Sequence, residues 1–369
     1  MRLYPENALI QLEFDKINTI LLNNCQTNMG VELVNEMRIH THQKYIEQAL
    51  QQTEEFKFIK LANQYFPSDF VLDIRKDLKL LGIPGAQLVG EQWLLVRKLC
   101  DHIQQIFKWF DQERQTAYAH LYEIIQSSYY EKAIIECIDL IIDDRGMVKD
   151  KASEDLAKIR MQLFKKRQEL RRIFEKVVQR LSKSGYTADI DESFSNGRRV
   201  VAVFSEYKRQ VKGFLHGESD SRKTAFIEPE ETIELNNELY ELEQDEAKEV
   251  QKILRALTTQ LSPYASLLLT YVKMIGSFDF IRAKALLAIE MNAHRPIVHN
   301  KAITHMKEAY HPLLYLYNKK SGKKTIPVNV ELDDEARILI ISGPNAGGKT
   351  VSMKTLGLNQ VMLQSGLLV

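Results

Sequence analysis

Eight consecutive residues, Gly343, Pro344, Asn345, Ala346, Gly347, Gly348, Lys349 and Thr350, satisfy the pattern G-x-x-x-x-G-K-[ST] without a mismatch. The pattern constrains the fold because it works only where a strand runs into a glycine-rich turn and the turn opens a helix. Both flanks are present. Residues 337–342 read as a buried strand and residues 351–364 as a helix. Glycines at 343, 347 and 348 let backbone N–H groups turn inward around a phosphate, and the helix N-terminus points at the same place. In such a loop Lys349 reaches the β- and γ-phosphates of ATP, and the Thr350 hydroxyl sits on Mg²⁺. The acidic metal-holding strand and the water-positioning residues of a working ATPase do not follow before residue 369. The expectation is therefore weak ATP binding and little turnover from this polypeptide.

The 369 residues allow two to four domains. With a net charge of +1 and 44% hydrophobic residues, the chain has a globular composition without overall bias toward a polyanion. Cys25, Cys100 and Cys137 are far apart and odd in number, which favours reduced thiols in the cytoplasm, and no spacing suggests a zinc site. No secretory signal opens the chain and no apolar run is long enough to span a membrane.

Residues 1–148 read as a helical core, with amphipathic stretches at 7–37, 45–61, 91–111 and 116–143 and breaks at Pro67 and residues 82–85. His40, His42 and His102 lack the neighbours that a metal site needs. Residues 149–259 read as an antiparallel arm. Leu156, Ile159, Leu163, Leu170, Ile173, Val177 and Leu181 form one apolar stripe on a long outgoing helix. Leu235, Leu239, Leu242, Val250, Ile253 and Leu257 form another on a returning helix. Between the helices, residues 198–204, 211–215 and 225–227 read as strands of a small β tip. Residues 260–299 return to helix. Residues 300–369 mix types, with a strand at 327–332, and begin an α/β nucleotide domain that the chain cuts short. The fold class is mostly α: a helical core, a long two-helix lever arm ending in a small β clamp, then the start of a P-loop ATPase domain.

Charge divides the arm. Residues 149–183 hold twelve Lys or Arg against five Asp or Glu, whereas residues 228–249 hold ten acidic residues and one basic. At the tip, Arg198, Arg199, Lys208, Arg209, Lys212, Arg222 and Lys223 are candidate contacts to a phosphate backbone, of the kind that position a protein without reading sequence. The alternative is pairing of the basic helix with the acidic one. Phe204, Tyr207, Phe214 and Phe226 could stack on bases, but packing within a small sheet is the simpler expectation.

The segment Ile340-Ile-Ser-Gly-Pro-Asn-Ala-Gly-Gly-Lys-Thr-Val-Ser-Met-Lys-Thr-Leu-Gly357 resembles the P-loop of the MutS family of ATPases, and most closely its second, MutS2-type branch. Tyr310-His-Pro-Leu-Leu314 is similar to the family's entry to the ATPase domain, and Phe278-Asp-Phe-Ile-Arg-Ala-Lys-Ala285 to its last core helix. Phe226-Ile-Glu-Pro229 with Glu234-Leu-Asn-Asn-Glu-Leu239 resembles the branch's clamp segment, and Leu12-Glu-Phe-Asp-Lys-Ile17 its opening helix. The resemblance implies an N-terminal piece of a DNA mismatch repair protein of MutS type. It would be a homodimeric, ATP-gated clamp on branched or duplex DNA, cytoplasmic and nucleoid- or ribosome-associated. Lys349 would be catalytic, Asn345 the family's loop asparagine, and His311 and Pro312 neighbours of the nucleotide. The core begins too near residue 1 for a mismatch-reading domain, and no nuclease-like Smr domain is present, so branched DNA is expected over mismatches. The alternative is a quality-control ATPase acting on stalled or collided ribosomes, with the basic tip on rRNA, because phosphate contacts do not separate RNA from DNA. A chromosome-maintenance ATPase fits less well, because its nucleotide domain precedes the coil.

Overall fold

The computed structural model describes residues 4–69, 71–188, 193–195, 197–344 and 348–369. Fourteen α-helices and six strands follow in chain order among them. The helices before the arm are α1 (Ala8–Gln11), α2 (Phe14–Asn24), α3 (Asn28–Asn35), α4 (Gln43–Leu61), α5 (Arg75–Leu81), α6 (Gly90–Trp109), α7 (Gln112–Ala117), α8 (Ala119–Gln126) and α9 (Lys132–Ile141). The arm consists of α10 (Glu154–Lys183), β1 (Ser193–Ser195), β2 (Arg198–Phe204), β3 (Gly213–Glu218), β4 (Thr224–Pro229) and α11 (Glu230–Leu261). After it come α12 (Ala265–Met291), β5 (Thr304–Ala309), α13 (Pro312–Lys320), β6 (Val328–Leu332) and α14 (Lys349–Gln364). The fold is mostly α with small antiparallel sheets, as the periodicity predicts.

The chain divides into two compact units, one of residues 1–82, 95–135 and 263–369, the other of residues 83–94 and 136–262. The first unit is organised around α12. This helix is apolar on every side, which suits a helix enclosed by others, and residues from Leu268 to Ala288 are buried around its circumference. One aromatic cluster joins Phe56, Phe66, Trp109, Phe110 and Phe278, with ring centroids 4.9–6.3 Å apart. A second core packs Phe14, Ile17, Leu21, Leu287 and Leu316 against Leu358, Val361 and Met362 of α14. That packing fixes the helix that leaves the glycine-rich loop.

The polar residues of α12 are as structural as its apolar ones. Asp279 is buried and accepts from the backbone N–H of Gln26 and Thr27, at 2.9 and 2.7 Å, and from the Thr27 hydroxyl at 2.9 Å. Thr27 in turn caps α3 through Gly30 N–H. Arg282 donates to Asp279 at 2.8 Å and to the Asn24 carbonyl at 2.6 Å. Lys284 is buried, and among the described residues no carboxylate pairs with it. Its ammonium lies 3.4 Å from the Gly366 carbonyl and 4.4 Å from the Phe280 ring centroid, and burial pushes its pKa down to about 8.

In the second unit, α10 and α11 run antiparallel. Ser153 caps α10, with Glu154 and Asp155 in its first turn and Arg180 and Lys183 in its last, the placement that the helix dipole favours. Leu163 and Leu170 pack against Leu235 and Leu239. Beyond the helices lies a four-stranded sheet in the order β1-β2-β4-β3, antiparallel throughout. Val201 stands opposite Ile227 and Val203 opposite Ala225, and these side chains pack on Phe174, Val177 and Leu181 at the end of α10. Gly213, at φ 155°, lets β3 start against β4, because a Cβ there would meet the Glu228 carbonyl oxygen at 2.1 Å.

Two expectations need correction. Residues 337–342 do not form a buried strand. They carry no regular structure, and Ile338 and Ile340 are 84% and 85% exposed. A strand buried on both faces needs neighbours to pair with, and none of the described strands pairs with this segment. The second concerns the tip aromatics. The tip core is largely aliphatic, with Tyr186 stacked on Tyr207 at its edge, while Phe204 and Phe214 lie exposed. Alternation along the strands turns these two phenylalanines away from α10. The mixed stretch before residue 327 resolves into β5 and α13.

Candidate functional site

The glycine-rich loop is described at both ends. Asn345, Ala346 and Gly347 lie outside the described residues. At the entry, Gly343 adopts φ 147° and Pro344 is exposed. At the exit, Gly348 caps α14 with φ 86°, a left-handed conformation that strains any residue with a Cβ. Lys349 begins the helix, and its ammonium donates to the Gly343 carbonyl at 2.7 Å, so the side chain folds back across the loop. Among the described residues its partner is this neutral carbonyl and no carboxylate. Thr350 is exposed beside it. The first turn of α14 contains no acidic residue, so its unsatisfied N–H groups face no side-chain counter-charge within the helix. Among the described residues the Lys349 side chain thus links the two ends of the loop, Gly343 and the first turn of α14, although the strand that the motif expects before Gly343 is not formed.

The base of α14 is tied down by polar contacts. Lys354 reaches Glu13 at 3.0 Å, and Lys16 pairs with the same carboxylate. These two lysines, Lys16 first, hold the Glu13 carboxyl down to about 2. Asn359 donates to the Tyr310 carbonyl at 3.2 Å. His311 caps α13, where its Nδ1 accepts from the Leu314 N–H, and burial lowers its pKa and keeps the ring neutral enough to accept. Its ring is therefore committed to the entry of α13, with Pro312 in the first turn. Nothing in the sequence motif pointed to Glu13, which meets α14 only because α2 folds beside it.

The seven candidate tip cations divide by environment. Arg198 donates to Glu228 at 2.9 and 3.1 Å and to Asn237 at 2.7 Å. Glu228 is 1% exposed and also meets Asn236 at 2.8 Å and His216 Nε2 at 2.7 Å. Burial alone would raise its pKa, and the hydrogen bonds from His216, Asn236 and Arg198 outweigh that and hold it below the ordinary value. Arg198 is therefore part of the lock between the sheet and α11. Lys208 pairs with Glu218 at 2.6 Å. Arg199 lies over the Phe174 and Phe194 rings, 5.9 and 5.6 Å from their centroids. Arg209, Lys212, Arg222 and Lys223 are exposed. The hub carboxylate Glu228 was hidden within the Phe226-Ile-Glu-Pro229 segment, and its partners converge only through the sheet register.

Along the arm, the basic and acidic helices pair with each other. Arg160 meets Glu246 at 2.7 Å, Lys166 meets Glu238 at 2.6 Å, Arg167 meets Glu243 at 2.8 Å and Arg180 meets Glu231 at 2.5 Å. The intramolecular alternative read from the charges is thus realised along the seam.

No family model matches the chain. Along nearly its whole length it is similar to curated proteins named Endonuclease MutS2. It is 31% identical to that of Geobacillus sp. over 97% of the chain and 45% of the relative. The Carboxydothermus hydrogenoformans protein is 30% identical over 99% of the chain and 45% of its own length. The Bacillus mycoides protein is 31% identical over 98% of the chain and 45% of its own length. The chain therefore spans less than half the length of the curated relatives it matches. Among the described residues, no helix is long and apolar enough to cross a membrane.

Proposed function

We infer that this chain is the nucleotide-binding and arm-bearing part of a MutS2-type ATPase that acts as a clamp on DNA. The observation that carries the reading is Lys349, held at the N-terminus of α14 with its ammonium folded over the loop on a neutral carbonyl 2.7 Å away. An ATP phosphate is a stronger partner for that ammonium than a carbonyl, because both groups are then charged. Gly343 and Gly348, at the two ends of the loop, carry no side chain that would stand in the way of a phosphate. Thr350, the next residue, would offer its hydroxyl to Mg²⁺. The ion would supply charge neutralisation at the phosphates, and the chain's own residues would bind and orient them.

The likeness to proteins whose name is Endonuclease MutS2 supports a nucleic-acid substrate, and the exposed cations Arg209, Lys212, Arg222 and Lys223 at the β tip suit a phosphate backbone. Dimerisation through nucleotide domains and ATP-gated opening belong to the same reading.

The test is a direct titration of Mg²⁺-ATP into the protein and its Lys349→Ala variant, repeated with four-way junction DNA, matched duplex, mismatched duplex and stalled ribosomes. Lys349→Ala should abolish nucleotide binding, and junction DNA should bind best. Equal nucleotide affinity in the two proteins would sink the phosphate assignment. Preference for ribosomes over every DNA would replace the clamp on DNA with a ribosome-directed ATPase.

A further inference from the structure

The seam pairs do not use all of the basic residues of α10. Lys158, Lys165, Arg172, Lys176 and Lys183 are exposed, and among the described residues none of them has an ion-pair partner. Their intervals are seven, seven, four and seven residues. At 3.6 residues per turn all five project within about 20° of Lys165, while Leu163 and Leu170 of the seam lie about 140–160° away. The outgoing helix therefore carries its charges in two sets. Arg160, Lys166, Arg167 and Arg180 flank the seam and are neutralised by α11. Arg171 pairs with Glu175 on the same helix, and the remaining five form a line along the face opposite the seam, interspersed with the exposed Met161, Gln168 and Gln179. Two carboxylates come near the line. Glu169 lies at its edge, 3.6 Å from Lys166, and Glu154 sits in the first turn.

We propose that this outer face of α10 is a docking surface for the phosphate backbone of duplex DNA, separate from the β tip. The proposal rests on the clamp reading above and gives it a second contact surface. Five cations over 25 residues extend about 38 Å at the helical rise. One heptad step is about 10.5 Å, close to three nucleotide rises of about 3.4 Å along the DNA helix axis. A repulsive array of this kind gains most from a polyanion of matching length, and long lysine side chains absorb the remaining mismatch. Four of the five cations are lysines, point charges on flexible stems, so the contact would be independent of sequence. A second copy of the arm is a poorer occupant. On the outer side of α11, Glu230, Glu234 and Glu241 occupy the tip-side part, and toward the base follow Lys248 and Lys252, which pair with Asp245 and Glu249 of the same helix, and Arg255. Two arms side by side would set unpaired carboxylates against only part of the cationic line.

The experiment compares the protein with two variants by anisotropy of a labelled matched duplex across a salt series. One variant replaces Lys158, Lys165, Arg172, Lys176 and Lys183 by Gln, a good helix former. The other replaces Arg209, Lys212, Arg222 and Lys223 by Gln. Circular dichroism melts check that both remain folded. Each phosphate contact contributes about 0.9 to the slope of log K against log salt. The α10 variant should lose affinity at least tenfold at low salt, and its slope should flatten by more than two such contacts. An α10 variant with unchanged affinity and slope, beside a tip variant that weakens, would overturn the second surface and leave the clamp reading in place. No duplex binding by the unsubstituted protein would overturn both. A slope change seen with structured RNA and not with duplex DNA would overturn the choice of DNA.

Discussion

Single residues decide how the first unit treats charge. Asp279 is buried yet accepts from two backbone N–H groups, a hydroxyl and Arg282, so its charge is fully compensated. Removing one partner of a buried pair leaves the other stranded, a loss of about 3–5 kcal/mol, and Asp279→Ala should show a loss of that size in chemical denaturation. Lys284 is the opposite case. Among the described residues no carboxylate meets it, and burial pushes its pKa down to about 8 from an ordinary 10.5. Between these values the unfolded chain holds a proton that the folded chain lacks, so this group adds stability as pH rises from about 8 to 10.5. Lys284→Met should flatten that rise and stabilise the protein at neutral pH by up to about 3 kcal/mol. Thermal melts at several pH values would show it, and a Met variant that melts lower at neutral pH would mean that the Gly366 and Phe280 contacts outweigh desolvation.

At the scale of elements, the β tip stays on α11 through one carboxylate. Glu228 at the end of β4 gathers Arg198 from β2, His216 from β3 and Asn236 from α11. Glu228→Gln removes the charge while keeping the shape. It should raise amide exchange in residues 198–229 at least tenfold and leave the α10–α11 seam protected. Because the Glu228 pKa is lowered on folding, its contribution is present above the ordinary carboxylate value of 4.5 and is lost as pH falls below it. Tip exchange should therefore accelerate below about pH 4 in the unsubstituted protein and much less in the variant. Uniform exchange across the arm would show that tip and helices open together. The seam itself was legible beforehand, because leucines at heptad spacing and opposite helix charges both follow from the sequence. The lock was not, because β2, β3 and β4 must be in register before its four side chains meet.

At the scale of the whole molecule, the chain leaves the first unit near residue 82, returns near 95, leaves again near 135 and comes back at 263. Each unit has its own core, one centred on α12 and α14, the other on the seam and the tip sheet. Calorimetry should resolve two transitions, with Asp279→Ala lowering one and Glu228→Gln the other. A single transition lowered by both would make the protein one cooperative block. The units also divide the proposed work, with the nucleotide loop in the first and both candidate phosphate surfaces in the second.

The sequence by itself determined the class of the fold, the span of the arm and the position of the glycine-rich loop. Those features are local or periodic, so backbone geometry and side-chain spacing specify them without distant partners. Tertiary structure decided what the charges do. Whether a lysine on α10 is neutralised or left in solvent depends on which side α11 covers, and Arg198 changed from a candidate contact into part of a lock because β4 and α11 brought Glu228 and Asn237 to it. Tertiary structure also decided against a strand at residues 337–342. An apolar run becomes a strand when neighbours satisfy its backbone, and hydrophobicity alone does not supply those hydrogen bonds.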